Sequence, residues 1–228
     1  MSDMIMFGIF PYVALALMIG VGLYRYFVDR YSWSSQSSQF LESRLLFWGS
    51  VPWHYAILII LLAHFLAFLF PTGWGVVLGR PMRLYLLEVT GLGLGITTLI
   101  AIALLIFRRT LNARVSAVTT AVDWLVLVLL LLQVASGVYI AITLRWGSVW
   151  YLHTASPWLW SLLKFDPQVH YLSALPWIVK FHAFNAFLLL AVFPFSRLVH
   201  VVSVPLGYLA RPWQVVIWYR QRSGKSAL

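Results

Sequence analysis

Residues 53–65 read WHYAILIILLAHF, an almost wholly apolar stretch that carries two histidines, His54 and His64. A stretch of this kind predicts a helix that crosses the lipid layer. The two imidazoles are ten residues apart, which corresponds to a rise of about 15 Å along a helix. Because ionisable side chains are costly at membrane depth, two of them on one span indicate a binding role.

The rest of the 228-residue chain has the composition of an integral membrane protein. It is 62% hydrophobic and 10% charged, with a mean hydropathy of +0.88, whereas soluble domains carry about 25% charged residues. Five apolar runs are long enough to cross about 30 Å of hydrocarbon as helices, and they are residues 5–24, 51–70, 84–107, 121–144 and 176–199. We therefore predict an all-α fold, a five-helix transmembrane bundle within residues 1–210, followed by a basic tail at 211–228.

The basic residues are unevenly distributed between the two sides of this bundle. One side holds Arg25, Arg30, Arg44, Arg108, Arg109, Arg114, Arg197, Arg211, Arg220, Arg222 and Lys225. The other holds Arg80, Arg83, Arg145, Lys164 and Lys180. Because cytoplasmic loops are enriched in Lys and Arg, the N-terminus is predicted outside and the C-terminus in the cytoplasm, in a multi-pass protein of the inner (cytoplasmic) membrane.

Topology also accounts for the formal charge of +10, since no domain-sized soluble region presents a basic face to nucleic acid. The first span follows MSDM, which lacks the basic residues of a signal peptide, so we expect the span to remain in the mature protein. The chain has no cysteine. Thiolate-ligated iron–sulfur clusters, if they accompany this chain, must therefore belong to a partner.

Four of the six histidines form two pairs on the second and fifth predicted spans. Because these spans run in opposite directions, His54 is level with His200 on the inner side. His64 is likewise level with His182 on the outer side. Eighteen residues at about 100° each complete five turns, so a straight helix would present His182 and His200 on one face. The axial separations differ, about 15 Å against about 27 Å, and we expect Pro194 to bend the fifth span.

Paired imidazoles on facing helices suit haem iron better than zinc. Zinc prefers four ligands in a tetrahedron, and neither pair has a nearby cysteine or carboxylate in the sequence. Haem iron takes two axial ligands on opposite sides of a plane, and its apolar edges suit a site at lipid depth. Without a CxxCH motif such haems would be non-covalent and b-type. The alternatives are interhelical hydrogen bonding for any one histidine, and a non-redox transporter with protonated histidines for the whole set.

Five features of the sequence together match one known family. They are SSQFLE at 37–42, the His54 to His64 spacing followed by Pro71, RVSAVTTAVD at 114–123, the His182 to His200 spacing, and FPFSRLVHVVSVPLGYLARPWQ at 193–214. In these features the chain resembles the gamma subunit of respiratory nitrate reductase, a membrane di-haem cytochrome b. The resemblance covers nearly all the spans and the start of the tail.

The resemblance implies a subunit that oxidises membrane quinol near an outer haem b and passes electrons inward through a second haem b. The receiving partners would be an iron–sulfur (beta) subunit and a molybdenum catalytic (alpha) subunit that reduces nitrate. His64 and His182 would ligate the outer iron, and His54 and His200 the inner iron. An equivalent anchor of a complex for nitrite oxidation, chlorate or selenate reduction, or formate or hydrogen oxidation remains the alternative.

The quinol site is expected beside the outer haem, near His64 and Arg83, with Glu88 as a candidate proton acceptor. The alternatives for Glu88 are a snorkelling acid at the outer end of the third span and an ion pair with Arg83. Arg83 or Arg80 takes the place of a lysine that the family associates with quinol binding, and Ala63 replaces a glycine before the outer-haem histidine. Residues 145–175 match the family poorly and are predicted to be an amphipathic segment at the headgroups or a re-entrant element.

Anionic haem propionates require cationic partners. The inner candidates are Arg108, Arg109, Arg114 and Arg197, and the outer ones are Lys180 and Arg83. The alternative for each inner arginine is ordinary positive-inside topology. We expect Asp123 to pair with Arg108 or Arg114, and the tail at 211–228 to dock on the iron–sulfur partner or lie on lipid.

Overall fold

A computed structural model describes residues 2–29 and 38–202 of the chain. Every regular element in these two ranges is a helix. In chain order the helices are α1 Ser2–Val28, α2 Arg44–Leu69, α3 Pro71–Leu78, α4 Pro81–Leu111, α5 Ala113–Ala117, α6 Ala121–Thr143, α7 Gly147–His153, α8 Ala155–Leu163, α9 His170–Ser173 and α10 Trp177–Val192. The predicted tail at 211–228 lies outside the described residues.

Five of these helices are long and apolar enough to cross a membrane: α1, α2, α4, α6, and α10 with its continuation to Phe195. Proline begins two of the helices, Pro71 in α3 and Pro81 in α4, where its missing N–H leaves no intrahelical bond unmade. Thr120 and Asp123 form a capping box at the start of α6, which satisfies two backbone donors reciprocally. The prediction of an all-α bundle with five spans is confirmed.

The five long helices pack in a spatial order that differs from their order in the chain. Helix α2 packs on α4, α4 on α6, α6 on α10, and α10 on α1. Within the described ranges, α2 and α10 do not pack extensively on each other. Helix α2, which carries His54 and His64, and helix α10, which carries His182, are therefore not a closely packed pair.

The fifth span is interrupted before it reaches His200. Helix α10 ends at Val192, a short 3-10 helix follows at Phe193–Phe195, and Ser196 is extended before a second 3-10 helix, Arg197–Val201. Pro194 causes the break because it has no N–H to donate to the helix, and Arg25 of α1 donates to the Pro194 carbonyl. The expected bend at Pro194 is present, and because of it His182 and His200 do not lie on one continuous helix.

Residues 145–175 form a cap of short helices over one end of the bundle. The indole N–H of Trp158 donates to the Phe7 carbonyl, and that of Trp160 to the Phe68 carbonyl, each at 2.9 Å. Trp158 is 2% exposed and packs in a core with Phe7, Leu162 and Leu172. The segment is thus fastened to α1 and α2 through backbone carbonyls.

At the other end of the bundle, a buried arginine holds the chain that leads into α2. Arg108, 1% exposed, donates from Nε to the Glu42 carboxylate at 2.7 Å, from a terminal nitrogen to the Glu42 carbonyl at 2.7 Å, and to the hydroxyl and carbonyl of Ser38 at 3.0 and 2.9 Å. Burial by itself raises the pKa of Glu42, but hydrogen bonds from Leu45, Arg108 and Leu46 outweigh it and lower the pKa below its usual value. This is the Arg108 clamp, formed by Arg108, Glu42 and Ser38.

Candidate functional site

The His54 pair consists of His54 on α2 and His200 beyond the break in the fifth span. Their ring centroids are 6.2 Å apart and their planes are inclined at 58°. Two imidazoles bound to opposite faces of one metal ion, with metal–nitrogen distances of about 2 Å, have centroids about 6 Å apart. The ring spacing of the His54 pair is therefore compatible with one metal ion bound between the two imidazoles.

The His64 pair is defined as His64 on α2 and His182 on α10, the two histidines predicted for the outer haem. The ring of Tyr151 in α7 meets His64 edge to face, with centroids 6.0 Å apart, and its hydroxyl donates to the His64 carbonyl at 3.5 Å. Burial raises the pKa of Tyr151 to about 12, so the hydroxyl stays protonated near neutral pH. The cap of residues 145–175 thus covers the His64 end of the bundle.

Three of the four imidazoles place Nδ1 near a backbone carbonyl about one helical turn earlier in the chain. The contacts are His54 with Ser50 at 2.7 Å, His64 with Ile60 at 2.8 Å, and His200 with Arg197 at 2.8 Å. A carbonyl only accepts, so Nδ1 carries the proton and Nε2 the lone pair. Imidazoles oriented in this way are ready to bind a metal through Nε2.

The fourth imidazole, His182, is held by two side chains of α6. Its Nδ1 lies 2.9 Å from the Ser136 hydroxyl and its Nε2 lies 3.1 Å from the Gln133 amide nitrogen. A Cβ at Gly137 would lie 3.1 Å from Cε1 of His182, so glycine lets the ring lie this close to α6. Sequence reasoning missed Gln133 and Ser136, although a glutamine inside an apolar span is itself a signal of an interhelical contact.

The arginines predicted to bind propionates differ in their contacts within the chain. The donors of Arg108 are directed to Ser38 and Glu42, in the clamp. Arg197 forms an ion pair with Asp123, with 3.3 Å between Nε and the carboxylate. The expectation that Asp123 pairs with Arg108 or Arg114 was therefore wrong, because the break at Pro194 brings Arg197 to the start of α6. Arg114 is exposed.

Among the quinol-site candidates, Glu88 and Arg83 do not form the ion pair that was considered for them. Glu88 accepts from the backbone N–H of Ser148 at 2.9 Å and from the Ser148 hydroxyl. Arg83 donates to the Val76 carbonyl at 3.3 Å. Glu88 therefore fastens α7 to α4, while Ala63 and His64 lie beneath the capped end on α2.

Comparison with known proteins confirms the resemblance. Residues 3–219 match the profile of the nitrate reductase gamma subunit family. The chain is 34% identical to the nitrate reductase gamma chain of Bacillus subtilis, over 98% of this chain and 100% of the relative. It is 32% identical to the respiratory nitrate reductase 1 gamma chain of Escherichia coli, over 94% of this chain and 96% of the relative. On the profile match and these full-length identities, the chain belongs to the nitrate reductase gamma subunit family.

Proposed function

We propose that this chain is the di-haem cytochrome b subunit of a respiratory nitrate reductase in the cytoplasmic membrane. It oxidises quinol at the His64 end and passes the electrons through two b haems to an iron–sulfur (beta) subunit, and from there to a molybdenum catalytic (alpha) subunit. The observation that carries this proposal is the pairing of four imidazoles across one bundle, three of which donate from Nδ1 to a backbone carbonyl and so keep a lone pair on Nε2.

The donor set of the two pairs fits haem iron. His54, His64 and His200 are exposed side chains, and no hydrogen bond from residues 2–29 or 38–202 reaches their Nε2 atoms. An imidazole nitrogen without a hydrogen bond or a metal bond is unfavourable at membrane depth, so we expect these Nε2 atoms to bind a partner. Within the described ranges, no third His, Asp or Glu completes a metal-binding group with either pair. A haem held by two of these imidazoles would supply one-electron transfer and would leave no iron position for substrate.

The residues around the pairs supply charge and orientation. We assign the side chains of Arg114 and Arg197 to the propionates at the His54 end, where the backbone carbonyl of Arg197 also accepts from Nδ1 of His200 at 2.8 Å. The Arg108 clamp positions the entry to α2, which carries His54. Arg114 and Arg197 thus supply positive charge for the cofactor, and Arg108 supports the fold at the same end of the bundle.

We place the quinol beside His64 and Ala63, beneath the cap of residues 145–175. The Tyr151 hydroxyl donates its hydrogen to the His64 carbonyl, so its oxygen is an acceptor for a quinol hydroxyl, and Arg83 is a cationic donor at this end. Glu88, bound to Ser148, holds α7 in place over the site. The positive-inside distribution puts this end outside, so protons leave to the outer water while electrons move inward against up to about 2.3 kcal/mol per 100 mV.

A quinol-reduction experiment on membranes that contain the assembled complex tests this proposal. Under anaerobic conditions, a reduced naphthoquinone or benzoquinone analogue should reduce the b-type absorbance band, and nitrate should then oxidise it. Chlorate and selenate are added separately as alternative oxidants of the band, and formate and hydrogen as alternative reductants. A change in the band with one of them would favour the corresponding alternative complex. A band that no quinol analogue reduces, or that nitrate leaves reduced, would overturn the proposal.

A further inference from the structure

The polar side chains around His182 form one hydrogen-bonded network. Two backbone carbonyls, those of Leu129 and Gln133, determine the direction of every hydrogen bond in it. Asn185, 2% exposed, has its amide nitrogen 3.0 Å from the Leu129 carbonyl and 2.7 Å from the side-chain oxygen of Gln133. Because a backbone carbonyl only accepts, the Asn185 amide nitrogen must face Leu129. The same NH2 group then donates to Gln133 through its second hydrogen.

This orientation determines which end of the Gln133 amide faces His182. With its oxygen turned to Asn185, Gln133 presents its NH2 group to Nε2 of His182, 3.1 Å away. Nε2 must therefore accept, which puts the imidazole proton on Nδ1. Nδ1 donates to the Ser136 hydroxyl at 2.9 Å, and Ser136 in turn donates to the Gln133 carbonyl at 3.0 Å.

His182 thus has the same tautomer as the other three histidines but differs from them at the metal-binding nitrogen. For His54, His64 and His200, no hydrogen bond from the described part of the chain reaches Nε2. For His182 the lone pair of Nε2 already accepts a hydrogen bond from Gln133. One ligand nitrogen of the four is capped by an amide of the protein itself.

We propose that Gln133 is an exchangeable cap on Nε2 of His182, which the haem of the His64 pair must displace. The inference rests on the proposed function, since it requires that this pair binds haem. Exchange breaks the hydrogen bond from Gln133 to Nε2 and forms a bond from Nε2 to iron, with no proton released by His182 because Nε2 carries none. Ser136 remains the acceptor for Nδ1, and Asn185 retains its bond to Leu129.

The cap has two consequences for the chain. In the absence of haem it satisfies a polar nitrogen that would otherwise lie beside Gly137 without a hydrogen-bond partner, which is unfavourable. In the presence of haem it competes for the ligand, so the affinity of the His64 pair is lower than that of uncapped imidazoles. The His54 pair has no such competitor among the described residues.

Haem titration of single-site variants tests the inference. In a His200→Ala background only the His64 pair is left, and in a His64→Ala background only the His54 pair. Gln133→Leu, which removes the donor at similar size, is introduced into both, and the complex is prepared from haem-limited cells and titrated with hemin while the b-type spectrum is recorded. Loss of one net hydrogen bond of about 1 kcal/mol predicts about fivefold tighter haem binding at the His64 pair.

The matched background separates the possible outcomes. Gln133→Leu should leave haem affinity at the His54 pair unchanged. Unchanged or weaker affinity at the His64 pair would overturn the cap, while absence of haem from both pairs of the unmodified chain would overturn the proposed function instead. Gln133→Met, which also lacks a donor, replaces Gln133→Leu if the latter does not accumulate in the membrane.

Discussion

Replacing His200 by alanine should remove one of the two b haems and leave the other bound. The His54 pair then has one imidazole, and a haem loses one of its two axial bonds, whereas the His64 pair keeps both ligands. Pyridine haemochrome analysis should show about half of the unmodified haem content. Quinol should still reduce the remaining haem, but nitrate should no longer oxidise it, because the inner step toward the iron–sulfur partner is missing.

The reciprocal variant, His64→Ala, should also halve the haem content but abolish reduction by quinol. His170→Ala is the matched control, because the His170 ring lies against Tyr171, with centroids 4.2 Å apart and planes inclined at 33°, and belongs to neither pair. We expect this control to retain both haems. If either His200→Ala or His64→Ala left the spectrum unchanged, the assignment of that histidine as a ligand would be wrong.

The second large effect is expected at the Arg108 clamp. Glu42→Leu leaves the Arg108 guanidinium, 1% exposed, without its carboxylate. Removal of one partner of a buried ion pair lowers the free energy of unfolding by about 3–5 kcal/mol, because the remaining charge is uncompensated. The variant should show a much lower thermal unfolding temperature in detergent and lower accumulation in membranes, although Glu42 touches neither histidine pair.

Two comparisons test whether this loss comes from the buried charge. Asp3→Leu breaks the partly exposed Lys180 to Asp3 pair, 3.2 Å in length, and should cost about 0–1 kcal/mol. The double variant Glu42→Leu with Arg108→Leu should recover part of the stability lost by the single one. Equal unfolding temperatures for Glu42→Leu and Asp3→Leu would contradict a stabilising role of the clamp.

The clamp also gives stability a defined dependence on pH. The pKa of Glu42 is lower in the folded chain than its ordinary value. Its contribution is therefore fully present above the unfolded pKa, about 4.3, and is lost as the pH falls through the folded pKa. In Glu42→Leu this acid-dependent component of the unfolding temperature should be absent.

Much of the architecture could be predicted from the sequence, because hydrocarbon imposes a simple length and composition rule on spanning helices. Predicted residues 121–144 correspond to α6 Ala121–Thr143, and 51–70 lies within the range of α2 apart from its last residue. The pairing of His54 with His200 was also predicted, from the opposite directions of two spans. The structure supports that pairing with the 6.2 Å spacing of the rings.

What could not be predicted depends on where individual side chains find partners. The sequence showed Pro194 but not the extended Ser196 after it, and this local change of backbone brings Arg197 to Asp123. Gln133 looked like one polar residue in an apolar run, and its contact with His182 depends on the rotation of α6 relative to α10. Periodicity fixes a face of a helix, but it does not fix which neighbour that face meets.

The central claim is that the chain binds two haems between α2 and the region from α10 to His200. The most direct measurement is a reduced-minus-oxidised optical spectrum of the purified complex, with pyridine haemochrome quantitation against protein. The account predicts a b-type spectrum with about two haems per chain. A colourless preparation from haem-replete cells would contradict it.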